Sequence, residues 1–477
     1  MRYYVDWDGD GIAGNELGDP DQERILRFET DTLRVAAAGG GYEVKIETNI
    51  PFTPQPILAN LTNPNVDFAQ PLIKRGHIKC SASFEKDRLV LSVEPAESRI
   101  MNDTTFTIYS MDGKTSSRLV LVQEGDLNKP LEFTLAGINI FASCCTKGRD
   151  AMNDFHIFDA LYTQCFSYGT KTDWKPIYEH QVNANMLLVH DAWAKSYQAI
   201  HSLNQIMKFI SEHEPSLYTS FAVLESMFYY EMAVWWGDVV YAVSPNFEDY
   251  MNIFLPRMKI EELFAILEKD LQKGIRLLPA QGTPFNETEL LSYLPYSNNV
   301  PKAILAKMYM YLGEYDKAYP LLQQIIQSGN YTLSNSRAHA LSSTSEEIIY
   351  AFKQDPQSDY SRYIEATDIV TTLLYSEVMM LAAECAYRLG NAGDAISYYN
   401  KMAESRGTAA ISSTTDFIDH MLSLWQTELK GTGTYFAFLK RNNLAEEVLN
   451  ISAYKQLLPI PQNELDKNRY MTQNPGY

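Results

Sequence analysis

AKMYMYLGEYDKAYPLLQQII, running from Ala306 to Ile326, and AECAYRLGNAGDAISYYNKMA, from Ala383 to Ala403, are two versions of one segment. Aligned, Leu312-Gly313 falls over Leu389-Gly390 and Ala318 falls over Ala395. Both copies carry apolar residues at helical spacing on either side of the Leu-Gly pair. Small residues let two helices approach closely, and glycine permits the sharp turn between them. Each copy therefore reads as a helix, a turn and a second helix.

A repeated helical pair with this placement of small residues is the tetratricopeptide pattern. Ala233 to Asp238 (AVWWGD) fits the same scheme loosely. Amphipathic stretches at Val189–Ser211, Tyr218–Trp236, Lys259–Leu278, Pro301–Leu312, Asp316–Ser328, Thr371–Leu389 and Ala392–Ser405 extend the helical text on both sides. The expectation is an all-α, tetratricopeptide-like solenoid body over residues 134–477. Upstream the period changes. DTLRVAA, GYEVKIET, DRLVLSV, TTFTIYS and SSRLVLVQ alternate at period two between Gly, Asn, Asp and Pro clusters, which predicts an all-β immunoglobulin-like sandwich over residues 23–125. Residues 126–133, opening with the polar turn DLNKP, form the linker, and residues 1–22 are an acidic leader. The whole is multidomain.

With 477 residues the chain can bury a large core. Its formal charge of −19 would repel a phosphate backbone, so nucleic acid is not an expected partner. Aromatic content of 12%, with 31 Tyr, suits stacking on sugar faces as well as core packing. Cys80, Cys144, Cys145, Cys165 and Cys385 show neither disulfide nor zinc spacing. The run TLAGINIFASC before Cys144 is read as a buried segment, and no stretch reaches the roughly 20 apolar residues of a spanning helix.

Two resemblances follow from these segments. DTLRVAAAGGGYEVKIETN and RLVLVQEG are similar to the opening and closing pieces of a BACON domain across Arg27 to Gly125, with Phe52 where that domain usually has tryptophan. The remainder resembles the SusD/RagB nutrient-capture family of Bacteroidetes. The resemblance is carried, in order, by DAWAKSYQAIHSLNQIM, FYYEMAVWWGDVVY, PRMKIEELFAILEKDLQKGIRLLP, the segment around the first repeat, SEEIIYAF, the segment around the second, ELKGTGTYFAFLKR and the closing LLPIPQNELDKNRYMTQNPGY, Leu457 to Tyr477. WWGDVVYA lacks the proline the family usually carries after Val239. The resemblance implies a cell-surface, outer-membrane lipoprotein that binds a glycan or other nutrient and works with a TonB-dependent SusC-like transporter. A signal peptide and anchoring cysteine are not in these residues. Pro459 and Pro461 lack the N–H a helix interior needs, so the tail is expected to be an extended clasp folded over the repeats.

Candidate sites come from residue chemistry. In DWDGDGIAGNELGD, Asp6, Asp8 and Asp10 alternate, Gly11 gives the turn, Ile12 offers a carbonyl, and Glu16 or Asp19 stands in for the missing last acid, since position 17 is Leu. That loop points to Ca2+. No organic cofactor is expected. GDGIAG follows no buried parallel strand and puts Asp10 where phosphate would sit, so it is not a dinucleotide loop. Sugar rings lay their C–H faces on aromatic rings while polar side chains satisfy the hydroxyls. On that ground YGTKTDWKPIYEH offers Tyr168, Trp174 and Tyr178, with Trp174 foremost because its loop has no obvious core to join. ETELLSYLPYSNNVP adds Tyr293, Tyr296, Asn298 and its neighbour Asn299, and DPQSDYSRYIEA adds Tyr360, Arg362 and Tyr363. Trp193, Trp235, Trp236, Tyr229 and Tyr230 sit in helical patterns and are assigned to the core. There is no GxSxG, HExxH or P-loop, and a solenoid offers no deep cleft to raise a carboxyl pKa, so enzymatic activity is not expected. Rival readings are an interaction scaffold with no small-ligand site and, more remotely, a polysaccharide-active enzyme.

Overall fold

The computed structural model describes residues 24–52, 57–58, 77–85, 87–99, 101–126, 128–129, 134–210, 215–242, 254–281 and 294–477. The chain divides into two compact units, Met1–Ile138 and Asn139–Tyr477. The calcium-loop residues Asp6, Asp8, Asp10, Ile12, Glu16 and Asp19 lie outside the described residues, as does Tyr293.

The first unit has strands β1 (Leu26–Phe28), β2 (Thr32–Val35), β3 (Gly40–Thr48), β4 (Ile57–Leu58), β5 (Cys80–Glu85), β6 (Arg88–Val93), β7 (Asn102–Tyr109) and β8 (Ser116–Gln123). They form two four-stranded sheets, ordered β1-β3-β6-β5 and β2-β8-β7-β4, with β2 parallel to β8 and the other neighbours antiparallel. Period-two alternation fixes which side chains meet. Leu89, Leu91 and Val93 of β6 share a core with Phe106 and Ile108 of β7 and Leu119 and Leu121 of β8. Phe52 is a member of that core, edge-on to Phe84 at 5.8 Å between ring centroids.

The second unit is built on helices α1 (Leu135–Tyr162), α2 (Leu187–Ile210), α3 (Pro215–Trp236), α4 (Ile260–Leu277), α5 (Asn299–Tyr311), α6 (Tyr315–Gln327), α7 (Tyr375–Arg388), α8 (Ala392–Ser405), α9 (Phe417–Glu428) and α10 (Tyr435–Arg441). From α2 to α8 each helix packs on the next. The two repeat copies are α5-α6 and α7-α8, and their turns are closed by matching bonds. Gly313 N–H donates to Met310 O at 3.1 Å and Gly390 N–H to Tyr387 O at 3.0 Å. Both glycines have φ near +76°, a conformation that strains any side chain. Ala318 and Ala395 are completely buried, as small residues at a helix contact should be. Tyr319 donates to Asp394 Oδ2 at 2.6 Å, joining one copy to the other.

Buried ion pairs bolt these helices. Lys307 of α5 lies 3.0 Å from Glu377 of α7 and 3.6 Å from Glu231 of α3. Arg406 pairs with Glu347 at 2.7 Å and Glu428 at 2.9 Å, and Arg441 grips Glu384 at 2.8 and 3.0 Å.

Three departures from the sequence expectations stand out. The 28-residue α1 is the longest described helix, and the amphipathic pattern missed it. Residues 151–163 are buried on every side, so there is no polar face to generate a period. Its polar residues are paired internally instead: Asn153 exchanges amide bonds with Gln354 (3.1 and 2.9 Å), and Asp154 accepts from Lys195 at 2.6 Å. Next, Thr371 to Leu374 does not open a helix. It ends strand β10 (Ile369–Leu374), which pairs antiparallel with β9 (Ile348–Lys353) and is buried on both faces, an apolar run that periodicity alone cannot assign. Last, the tail is not extended throughout. Leu457 to Pro461 is, but the short helix Gln462–Lys467 follows, because a proline just ahead of a first turn removes no helical hydrogen bond. Leu458 N–H bonds Trp235 O at 2.7 Å and Trp236 Nε1 donates to Pro459 O at 3.1 Å, while Gln462 N–H reaches Ala184 O at 2.9 Å. Among the described residues no helix is long and apolar enough to cross a membrane.

Candidate functional site

Two loops of the helical unit bring aromatic residues together. The first leaves α1 at Tyr162, turns through Gln164 at φ +57°, and winds a 3-10 turn over Thr172–Trp174 before the one-turn helix Lys175–Tyr178, whose start is set by Pro176. The second is the short helix Asp359–Tyr363, capped by Ser358 Oγ accepting from Ser361 N–H.

Lys171 joins them. Its ammonium lies 2.9 Å from Asp359 Oδ2, 5.0 Å from the Trp174 ring centroid and 4.8 Å from that of Tyr363. The Asp359 contact raises the Lys171 pKa above its usual value, so it is cationic at neutral pH. Trp174 and Tyr363 meet edge to face at 5.8 Å. Arg362 is exposed and its guanidinium stacks on Tyr363 at 5.3 Å. Tyr168 and Tyr178, both half-buried, form a second edge-to-face pair at 5.7 Å, and Gln164 donates to Tyr178 O at 2.9 Å.

The expectation that Trp174 is a ring without a core is corrected. It is 3% exposed, held by Tyr363 and Lys171. Tyr360 is likewise buried. Its hydroxyl donates to Gly431 O at 2.8 Å and its ring meets His156 edge-on at 5.6 Å. Trp174 and Tyr360 are thus buried anchors of the two loops, while Tyr363, Tyr168 and Tyr178 stay partly accessible. Tyr296 and Asn298 stand elsewhere, at the amino end of α5. Asn298 Oδ1 accepts from Lys302 at 2.9 Å, and neither residue makes its polar or ring contacts with the Trp174 cluster. Asn299 is buried and donates to Tyr331 at 3.3 Å. Trp193, Trp235, Trp236, Tyr229 and Tyr230 are core residues, as read.

Lys171 and Asp359 are the members of this cluster that loop composition does not single out. Both lay inside quoted segments, but nothing in either segment showed that the other would meet it. Carboxyl pKa values are raised in this fold by burial in the packed interior rather than by a cleft. Burial lifts Asp159 and Asp154 of α1 to about 7, Glu231 to about 7 and Glu225 to about 8. These groups lie in the packed interior, with Asp159 fully buried and accepting from Phe436 N–H at 2.8 Å. Among the described residues no three His, Cys, Asp or Glu side chains are grouped to hold a metal ion.

Residues 135–310 match the SusD-like family profile described as "Starch-binding associating with outer membrane". No curated protein sequence matches the chain. Among solved structures, a SusD superfamily protein from Bacteroides vulgatus aligns with a TM-score of 0.59 at 13% identity, covering 71% of this chain and 98% of its own. Surface glycan-binding protein A from Bacteroides uniformis gives 0.58 at 17% identity over 71% and 99%. Surface glycan-binding protein A from Bacteroides thetaiotaomicron, in complex with laminarihexaose, gives 0.56 at 15% over 70% and 98%. At these identities the likeness establishes a common fold.

Proposed function

We propose that this chain, a member of the SusD/RagB family through its helical unit, is a cell-surface glycan-binding protein that holds an oligosaccharide or other nutrient for a TonB-dependent SusC-like transporter. The observation that carries the binding role is the convergence of two loops on Lys171, which meets Asp359 and Tyr363 of one loop and Trp174 of its own, the loop that also bears the Tyr168-Tyr178 pair. Preorganised rings on a packed scaffold bind flat sugar faces with little loss of side-chain freedom. Sequestration rather than bond cleavage is the role this suits. The names of the solved relatives, which bind laminarin and laminarihexaose, support a glucan as the first ligand to try.

In this reading the body is a tetratricopeptide-like solenoid, and the β unit is a BACON-like, immunoglobulin-type spacer on a lipid-anchored outer-membrane protein. The test is calorimetric titration of the full chain with laminarin, starch and mixed-linkage glucans, alongside Tyr363→Ala. Saturable binding that the variant weakens tenfold or more supports the reading, and silence across all ligands defeats it. One observation favours the scaffold alternative: Trp174 and Tyr360, two of the candidate rings, are already occupied by contacts within the chain. Silence toward glycans combined with capture of the transporter would decide for it.

A further inference from the structure

A cavity of about 330 Å³ opens where the loop after α3 meets the tail. Arg257, Asp238, Lys259, Tyr311, Leu457 and Pro475 are among its walls. Its size is at the lower end for small-ligand sites.

The charges in this cavity do not cancel. Asp238 is the nearest anion to Arg257, but its carboxylate is committed elsewhere. Oδ2 lies 2.7 Å from Lys259 Nζ, and Oδ1 accepts from Ile260 N–H at 3.2 Å, one of the free N–H groups at the amino end of α4. Arg257 meets only neutral oxygens: Nε donates to Asp238 O at 2.8 Å, Nη1 to Thr472 O at 2.8 Å and Nη2 to Asn474 Oδ1 at 2.7 Å. A guanidinium has five N–H donors, so two are left. The three bonds fix its fork in place, and burial presses its pKa down, the mark of a cation short of compensation. A planar fork with free donors and one surplus positive charge matches a carboxylate. Tyr311 and Pro475 supply ring and apolar surface beside it, and Thr472 adds a hydroxyl-bearing residue to the wall.

We propose that this cavity binds a small hydroxylated carboxylate of the uronic-acid class, with Arg257 receiving the carboxylate and Lys259 guarding the rim. The site is separate from the aromatic cluster and does not depend on the glycan reading.

The experiment is calorimetric and saturation-transfer titration of the full chain with glucuronate and galacturonate, using glucose as the neutral control. A uronate should bind at least tenfold more tightly than glucose, and the affinity should fall as salt rises. Arg257→Gln should abolish that preference. Because this variant can also loosen the tail, Lys259→Gln, at an exposed rim position, provides the second arm and should weaken uronate binding severalfold while lowering Tm far less than Arg257→Gln. Equal affinity for glucose and uronates, or no binding of either, overturns the proposal. So does wild-type affinity in both variants. Loss of uronate binding in Tyr363→Ala alone would transfer the ligand to the aromatic cluster, overturning this site while leaving the glycan reading intact.

Discussion

The hydroxyl of Tyr360 donates to the backbone oxygen of Gly431 at 2.8 Å. Through that bond the short helix bearing Tyr363 is tied to the loop ahead of α10, whose first turn Asp159 of α1 holds through Phe436 N–H. The loop cannot stand away from its neighbours. A Cβ on Gly431 would come within 2.9 Å of Phe166, and one on Gly433 within 2.8 Å of His156, with both residues at left-handed φ.

Tyr360→Phe tests this tie. It leaves a buried acceptor without its donor, at a cost of about 1–3 kcal/mol. Urea unfolding should show that loss, and glucan affinity should fall with it, because the Asp359–Tyr363 helix loses its anchor. Unchanged stability would mean that the bond contributes nothing.

Trp174 and Tyr363 should behave differently when truncated. Trp174→Ala opens a void in packed structure and should destabilise by about 3–5 kcal/mol. Tyr178→Ala should leave Tm nearly unchanged, Tyr363→Ala should lower it by much less than Trp174→Ala does, and each should weaken glucan binding by about tenfold, or about 1.4 kcal/mol. A Trp174→Ala protein with native Tm would show that the ring is not an anchor.

Lys307 separates Glu377 from Glu231 in the interior of the helix stack. Lys307→Met removes the cation and leaves two buried carboxyls facing each other. The expected loss is about 3–5 kcal/mol, read as a fall in the urea midpoint. Lys307→Met combined with Glu377→Leu and Glu231→Gln should recover much of it.

Asp159 makes stability fall with rising pH. Its unfolded carboxyl ionises near 3.8, whereas burial lifts the folded value to about 7. Between these values the folded state binds the extra proton, so stability declines from about pH 4 to pH 7 and levels off above. Asp159→Asn, which keeps an acceptor for Phe436 N–H, should flatten part of that decline in unfolding free energies measured from pH 4.5 to 8. An unaltered slope would show that Asp159 is ionised in the fold throughout.

The acidic leader carries its own prediction. If Asp6, Asp8 and Asp10 bind Ca2+ with Ile12 and Glu16 or Asp19, terbium luminescence should report one site on the full chain. Asp8→Asn with Asp10→Asn should remove the signal without affecting glucan binding.

The repeat was legible because its determinants are local. A Leu-Gly turn and two small residues specify the same turn geometry wherever they occur, and Gly313 and Gly390 adopt it alike. Helix α1 was not legible because its environment is supplied by distant residues. Asn153 finds Gln354 and Asp159 finds Phe436, partners no window around α1 contains. The candidate site divides the same way. Tyr168, Trp174, Tyr178 and the segment Tyr360 to Tyr363 could be named from loop composition. Which rings are open and which are anchors depends on Lys171 meeting Asp359 across the fold.

The tail contacts imply an order of events during synthesis. Trp236 bonds Pro459 and Asn474, residues 223 and 238 positions later in the chain, and Arg257 closes on Thr472 after a separation of 215. While the ribosome is still extending the chain, the indole N–H and backbone oxygen of Trp236 have no such partners, however well the earlier helices have formed. The helical body can be assembled stepwise from its neighbouring pairs, but it is locked only once the segment from Pro459 to Asn474 has emerged.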